Sequence, residues 1–247
     1  ISFLGGASAT IQVNTGVITA TAAGQIVVGA FQASDANYAG VLASLTITIV
    51  PGQQSLSFGA ASYTLLTSQT QTITATNSIS GGGTITYSIM AGSGSATVNQ
   101  ATGQILGVAV GDVTLNAQAA ATSNYNATST SVLVTIYAST PVLSLSIVGG
   151  LSLTVDGFAQ AIASSNPSTS TTQQTIVYSV IAGSGFALVD TVSGQLTGTA
   201  AGTITVTATA LANGNYNEAI TSTVVIIGKR TPTLQFSPQP NAMVVGV

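Results

Sequence analysis

The chain is poor in the residues that most often carry out chemistry in proteins. It has no histidine, cysteine or tryptophan, and only two basic and five acidic residues among 247. Charged residues are 3% of the sequence, against roughly 25% in ordinary globular proteins. Without cysteine there is no disulfide and no thiolate. Two adjacent cations, Lys229 and Arg230, cannot neutralise a phosphate track, so nucleic-acid binding is excluded as a class.

Apolar residues are plentiful, but they are not arranged for a membrane. Hydrophobic residues make up 45% of the chain and the mean hydropathy is +0.57, so the low charge does not predict disorder. Apolar residues alternate with Ser and Thr, and no run reaches the roughly 18 residues that a spanning helix needs. We therefore expect no membrane insertion. No secretion signal is visible and the first residue is Ile1, so we expect a mature piece or a segment of something longer.

An internal repeat of about ninety residues is the strongest pattern in the sequence. Tyr87–Val98 reads YSIMAGSGSATV, and Tyr178–Val189 reads YSVIAGSGFALV. The same frame continues through Gly103 and Gly194, and a partial copy opens the chain. Each copy then carries an Asn-Tyr pair, at Asn37-Tyr38, Asn124-Tyr125 and Asn215-Tyr216. A protein made of copies of one unit usually works as a spacer or a multivalent surface.

The repeat frame and the prolines that follow each unit place the domain boundaries. We predict the C-terminal part of a module at 1–50, complete modules at 51–138 and 139–228, and the opening strand of a further module at 229–247. We refer to the first three as the first, second and third copies. Their junctions are short and have no long Gly/Ser tract, which predicts a semi-rigid end-to-end array.

Alternation of apolar and polar residues predicts strands throughout, with about seven in each module and no helix. Thr203–Ala210 is the clearest strand, with Ile204, Val206 and Ala208 directed inward. The matching inward sets are Val113, Leu115 and Ala117 in the second copy, and Ile26, Val28 and Ala30 in the first. Leu151–Ala163 is expected to form one strand, bent near Asp156-Gly157.

The motif Y-S-x-x-x-G-S-G-x-A-x-V, followed by T/S-G-Q, G-x-x-x-x-x-A-x-A and N-Y-N, resembles the bacterial Ig-like repeats of large cell-surface and adhesin-type proteins. The resemblance covers nearly the whole chain. It implies tandem Ig-like β-sandwiches, and it implies no shared catalytic residues. The near-absence of Lys, Glu and Asp departs from usual members of this group.

The candidate site residues are predicted to be structural. Repetition fixes Tyr38, Tyr125 and Tyr216, and we expect each ring to plug one end of a sandwich with its hydroxyl bonded to backbone; a row of exposed sugar-binding tyrosines is the alternative. Tyr87, Tyr178, Gly103 and Gly194 belong to the same repeated frame. Ala91–Gly94 and Ala182–Gly185 predict tight turns rather than phosphate loops. No catalytic residue, metal site or cofactor is predicted, since the acids are isolated and no His can serve as a base.

Two functional hypotheses remain at this point. One is a structural, non-catalytic segment of an extracellular fibre, sheath or long surface protein, and the other is an adhesin or carbohydrate-binding module. We expect an extracellular or cell-surface location. The expected partners are further copies of the chain, through self-association, or neighbouring Ig-like modules that continue it, with a glycan or surface ligand as the adhesin alternative. The incomplete units at the two ends fit a segment of a longer repeat protein, a trimmed fragment, or subunits that complete each other by strand addition.

Overall fold

The structure is a computed structural model that describes residues 2–4, 8–166, 174–235 and 245. Within these ranges the chain forms strands and connecting turns, with no helix, which confirms the predicted all-β class. The strands are β1 (Ser2–Leu4), β2 (Ser8–Ile11), β3 (Ile18–Ala22), β4 (Gly24–Gln32), β5 (Val41–Ile49), β6 (Leu56–Phe58), β7 (Ser62–Leu66), β8 (Thr70–Thr72), β9 (Ala75–Asn77), β10 (Ile85–Met90), β11 (Ser95–Val98), β12 (Gln104–Ala109), β13 (Gly111–Ala119), β14 (Thr128–Tyr137), β15 (Val142–Val148), β16 (Ser152–Thr154), β17 (Phe158–Asn166), β18 (Ile176–Ala182), β19 (Phe186–Val189), β20 (Gln195–Ala200), β21 (Gly202–Ala210) and β22 (Ala219–Gly228).

The third copy is a two-sheet sandwich with immunoglobulin topology. One sheet has the order β15-β17-β20-β19, and the other has the order β16-β22-β21-β18. With the strands lettered A (β15), A′ (β16) and then B to G (β17 to β22), these sheets are A-B-E-D and A′-G-F-C. An Ig constant-type domain has the same ABED and CFG arrangement. The predicted Ig-like sandwich is therefore confirmed by strand order.

The second copy repeats this topology with one break. Its larger sheet has the order β10-β13-β14-β7, which is C-F-G-A′. Its strand B is divided into β8, which pairs with β12, and β9, which pairs with β6. The described part of the first copy contains β1, β4 and β5 in one sheet and β2 and β3 in another, which correspond to C-F-G and D-E. A register shift recurs at the start of strand D in all three copies, at Ser8/Ala9, Ser95/Ala96 and Phe186/Ala187.

The cores lie between the sheets, where alternation predicts them. Val113, Leu115 and Ala117 are at most 1% exposed, and so are their counterparts Ile204, Val206 and Ala208. In the first copy Ile26 is buried and Val28 is half-buried, but Ala30 is exposed. The inward prediction is wrong for Ala30, because no described strand faces that end of β4.

The segment Leu151–Ala163 also differs from the prediction. It forms two strands in different sheets, since β16 pairs with β22 and β17 pairs with β15 and β20. The chain changes sheet at Asp156, which has a φ of +59°, followed by Gly157. Asp156-Gly157 therefore marks the point where the chain passes from one sheet to the other, not a bend within one strand.

The chain divides into two compact units, residues 1–138 and 139–247. The first unit contains the first and second copies, and the second unit contains the third copy. The four-part division at 50, 138 and 228 remains a prediction. The predicted opening strand at 229–247 lies mostly outside the described residues, and its described part, 229–235, is not in a strand.

Candidate functional site

The three Asn-Tyr pairs occupy the same turn in all copies. The turn is closed by backbone hydrogen bonds in which Asp35, Thr122 and Asn213 donate to the carbonyls of Tyr38, Tyr125 and Tyr216, at 3.0, 2.8 and 2.9 Å. In each turn one side-chain oxygen accepts the backbone N–H groups of both the Asn and the Tyr of the pair. These oxygens are Asp35 Oδ1, Thr122 Oγ1 and Asn213 Oδ1. The repeated requirement is an acceptor, which Asp, Thr and Asn all supply.

The three tyrosine rings of these turns are not equally buried. Tyr216 is 7% exposed, Tyr125 is half-buried, and Tyr38 is 69% exposed. Tyr125 forms a parallel bridge with Gly52, and Tyr216 forms one with Ser139. Among the described residues no equivalent segment covers Tyr38, so the expected burial is wrong for that ring. Tyr38, Tyr125 and Tyr216 are therefore not a uniform row of exposed aromatic platforms.

Tyr87 and Tyr178, on strand C, bond to backbone through their hydroxyls. Each hydroxyl accepts a hydrogen bond at 3.0 Å from a strand-B amide, that of Ala75 or of Ala163. Tyr87 is 5% exposed and Tyr178 is 8% exposed. Strand C also carries the buried Trp of antibody domains. These rings tie strand C to strand B through the core.

Gly103 and Gly194 lie against these two rings. Their φ angles are +69° and +73°. A Cβ on Gly103 would lie 2.3 Å from the Ile73 carbonyl oxygen, and one on Gly194 would lie 2.5 Å from that of Ala161. The added atom would also lie 3.2 Å from the Tyr87 ring or 3.1 Å from the Tyr178 ring. Only glycine satisfies both the left-handed conformation and the close approach, which supports a structural role for both residues.

The turn ahead of each of these glycines is capped by Asn99 in the second copy and by Asp190 in the third. Asn99 Oδ1 accepts the N–H groups of Ala101 and Thr102, and Asp190 Oδ1 accepts those of Val192 and Ser193. The hydrogen bonds from the Ser193 backbone and side chain and from the Val192 backbone lower the pKa of Asp190 below its usual 3.8. The two turns therefore have the same geometry, but one of them can titrate.

Two buried glutamines are structural residues that the sequence reasoning missed. Gln54 is 5% exposed and Gln174 is 7% exposed. Gln54 Nε2 donates to the carbonyls of Ala120 and Asn126, at 2.9 and 2.7 Å. Gln174 Nε2 donates to the equivalent carbonyls of Leu211 and Asn217, at 2.9 and 2.8 Å.

The two glutamines brace the loop that carries the Asn-Tyr pair from non-equivalent places in the chain. Gln54 precedes strand A, whereas Gln174 precedes strand C and aligns with Gly83 of the second copy. Comparison of aligned positions cannot detect such a pair. The sequence feature that could have indicated this role is a long polar side chain next to a predicted strand, in a chain with few charged residues.

The Ala-Gly-Ser-Gly segments are turns between strands C and D, as predicted. Ser93 Oγ and Ser184 Oγ accept the N–H groups of Asp112 and Thr203, at 2.9 and 3.0 Å. The N–H groups of Gly94 and Gly185 donate to the carbonyls of the same two residues. Because these donors are used within the module, the turns do not form an anion cradle.

The acidic residues do not converge within the described residues. No group of three or more His, Cys, Asp or Glu side chains there could hold a metal ion. Asp156 pairs with Arg230 at 3.1 Å, and both side chains are about two-thirds exposed, at 67% and 68%. No described helix is long and apolar enough to cross a membrane. A groove of about 220 Å³ lies beside Ala22, Ala23, Ile49 and Tyr125, and the Asn124 Oδ1 on its wall already accepts the Ala23 N–H at 2.9 Å.

No protein-family model matches the chain, and no curated protein matches it. Solved structures with similar strand arrangements include domains 4 and 5 of the S-layer protein SbsC, at 12% identity and a TM-score of 0.29, covering 73% of this chain and 98% of that one. A SusE-like, surface-located polysaccharide-binding protein from Bacteroides thetaiotaomicron has 16% identity and a TM-score of 0.29, with 90% of this chain and 41% of that chain covered. Sidekick-1 immunoglobulin domains 1–5 have 17% identity and a TM-score of 0.33, with coverages of 84% and 46%. At these values the fold assignment depends on the strand order and register described above.

Proposed function

We propose that the chain is a non-catalytic structural segment of an extracellular fibre, sheath or long cell-surface protein, in which modules of this kind continue end to end and bear tension. One observation carries the proposal. In both complete copies strand A′, near the start of the module, runs parallel to strand G at its end. Tension applied to the two ends of such a module loads the hydrogen bonds between A′ and G in shear, so they must break together.

The contact between A′ and G is well anchored in both copies. Five residue pairs join β7 to β14, and three join β16 to β22. Leu65 and Leu153 lie in the A′ strands and are 1% and 6% exposed. Further backbone bonds extend both pairs. The Thr67 N–H donates to the Tyr137 carbonyl in the second copy, and the Val155 and Ile226 N–H groups donate to the carbonyls of Gly228 and Leu151 in the third. The strand-C tyrosines, the glycines packed against them and the two buried glutamines are likewise bonded or packed within their own modules, which favours a structural role over a ligand site. These residues are Tyr87, Tyr178, Gly103, Gly194, Gln54 and Gln174.

Single-molecule pulling of the full chain tests this function. We expect two unfolding steps of module length, with the second copy unfolding at higher force because its A′–G contact is longer. Leu153→Ala should lower the force of the third copy. Leu196→Ala is the matched control, since it truncates a buried leucine of β20, outside the A′–G pair. Each truncation should cost about 2–5 kcal/mol of stability.

The force difference between the variants decides the proposal. Leu153→Ala should lower the unfolding force more than Leu196→Ala, even after correction for their equilibrium stabilities. Equal losses of force, or unfolding of both modules at very low force, would contradict a tension-bearing role. Binding to an immobilised glycan that is lost on Tyr38→Ala, with unfolding unchanged, would support the adhesin alternative instead.

A further inference from the structure

The outer face of the A-B-E-D sheet in the third copy carries a cluster of exposed apolar side chains. The inner face of the same strands packs into the core, where Ala161, Ala187 and Leu196 are buried. On the outer face five large side chains are between 48% and 70% exposed: Val148, Phe158, Ile162, Phe186 and Leu188. We call this cluster the apolar face of the third copy. None of the four strands that carry it contains a charged residue.

The register of the strands arranges these side chains in rows across the sheet. Leu188 on β19 and Phe158 on β17 both lie opposite Thr197 on the strand between them, β20. Val148 lies opposite Gln160, two residues further along β17. A hollow of about 270 Å³ lies among Phe158, Val148 and Gln160. The apolar face therefore has two raised sides, on strands D and B, with the half-buried Thr197 between them.

The second copy shows that the fold does not require these apolar residues. At the four positions that align with Phe158, Ile162, Phe186 and Leu188 it has Thr70, Thr74, Ser95 and Thr97. Two apolar residues, Leu106 and Val108, remain on this face of the second copy, both in strand E. A contiguous apolar cluster on the outside of a module, which the same fold does without elsewhere, marks a contact surface.

The size and the charge of the apolar face fit a second copy of itself. Its exposed apolar area is about 500 Å², if a fully exposed aromatic side chain counts for roughly 150–250 Å² and an aliphatic one for somewhat less. Two such faces together would bury about 1,000 Å² of apolar area, which corresponds to about 1,500 Å² in total at the roughly 65% apolar content of homodimer interfaces. A stable interface of standard size buries about 1,200–2,000 Å². Because the strands of the face carry no charge, pairing them buries no unpaired ion.

We infer that the apolar face of the third copy binds the apolar face of a second molecule of this chain, about a two-fold axis that runs along β20 near Thr197. Such an axis places Leu188 of each molecule on Phe158 of the other, beside the hollow, so the same patch serves both sides of the contact. Sheets that pack face to face in this way keep their strands within about 30° of each other. The two molecules therefore lie side by side with corresponding strands in the same direction. This inference goes beyond the proposed function and does not rest on it, because it joins molecules laterally and not end to end.

Sedimentation velocity of the full chain over a range of concentrations tests whether the molecules pair. The wild-type chain should dimerise, and Phe158→Thr and Leu188→Thr should each weaken dimerisation at least tenfold. Both changes introduce the residue of the second copy, so both variants should fold. Val224→Thr is the matched control, since it removes a side chain that is 54% exposed on the outer face of the other sheet. An equal effect of all three changes would overturn the inference.

A wild-type chain that stays monomeric up to its solubility limit would also overturn the inference. If that monomer bound an immobilised neutral polysaccharide, and lost the binding on Phe158→Thr, the face would belong to a glycan instead. Neither result would alter the force measurements on single molecules, so this inference and the proposed function fail separately.

Disulfide trapping tests the two-fold axis. The chain has no cysteine, so a single introduced thiol reports on its own position. Thr197→Cys places one thiol beside the axis, where two molecules of the variant can form a disulfide across the contact. Thr205→Cys is the matched control, because Thr205 is also half-buried but lies on the outer face of the other sheet. In a buffer with oxidised glutathione the Thr197→Cys variant should form covalent dimers several-fold faster than the control, and equal rates would overturn the two-fold contact.

Discussion

The second and third copies reach the same architecture with different residues at several polar anchors. The Asn-Tyr turn is capped by Thr122 in one and Asn213 in the other, and the turn before strand E by Asn99 and Asp190. The outward residues of strand F are Asp112, Thr114, Asn116 and Gln118 in one copy, and Thr203, Thr205, Thr207 and Thr209 in the other. What stays constant is the buried set, the left-handed glycines and the tyrosine of strand C. The fold therefore fixes the acceptors and the packing, and leaves the chemistry of the outer faces free to change.

The largest expected effect tests whether the two copies fold independently. Val206→Asp should abolish the unfolding transition of the third copy, because an unpaired buried carboxylate costs several kcal/mol, on the order of the stability of a small domain. Leu115→Asp, at the matching position, should do the same to the second copy alone. Calorimetry of the full chain measures both transitions, and Thr207→Asp, on the outward side of β21, is the control. Loss of both transitions from one substitution would show that the copies form one cooperative unit.

The loss of stability on replacing each tyrosine of the Asn-Tyr pairs should follow the burial of its ring, although the three positions are equivalent in sequence. Tyr216→Ala should cost about 3 kcal/mol, because its ring is almost fully buried. Tyr125→Ala should cost less, and Tyr38→Ala should stay within about 0.5 kcal/mol, as expected for an exposed site. Chemical denaturation of the three variants gives the order. Equal losses at all three positions would mean that Tyr38 is covered in solution.

Alanine substitutions of the glycines before strand E should distinguish the cost of a left-handed backbone conformation from the cost of a steric clash. Gly16, Gly103 and Gly194 all have a φ near +70°, but a Cβ on Gly16 meets no atom within 4 Å. Gly16→Ala should therefore cost only the left-handed conformation, about 1 kcal/mol. Gly103→Ala and Gly194→Ala should cost about 2 kcal/mol, because the added carbon meets a carbonyl oxygen. Thermal unfolding of the variants checks this, and equal losses would remove the steric explanation.

The smallest effect is a difference in acid sensitivity. The folded pKa of Asp190 is lowered, so this residue stabilises the third copy above about pH 3.8, and its contribution is lost as the pH falls below that value towards the folded pKa. The cap of the second copy, Asn99, does not titrate. Asp190→Asn should reduce the fall in the unfolding temperature of the third copy between roughly pH 5 and pH 2, the range in which ordinary carboxyl groups titrate. Asn99→Asp should introduce such a fall in the second copy. Unfolding temperatures measured against pH would contradict this if neither substitution changed the slope.

Periodicity predicted most of the fold because the buried residues impose a strict period of two. Val206 and Leu115 could be placed inward without coordinates, since a shift of one residue would expose the whole set. The crossover at Asp156 could not be predicted, because Leu151–Ala163 is apolar enough to be read as one strand and nothing in its spacing shows which sheet each half joins. The burial of Tyr216 and the exposure of Tyr38 differ because the covering segment comes from far along the chain. The role of Gln54 and Gln174 could not be predicted, because the two side chains bind equivalent carbonyls of their copies from positions that do not align in sequence.

The two glutamines also limit how such repeats can exchange segments in evolution. Recombination between the second and third copies at a point between strands A and C would give two kinds of hybrid module. One would contain both Gln54 and Gln174, which would compete for the same two carbonyls, and the other would contain neither. A crossover at Tyr87–Val98 and Tyr178–Val189 falls after both positions and leaves each hybrid with one glutamine. In this stretch the two copies share eight of twelve residues. Recombination within this stretch would therefore keep the internal bracing intact.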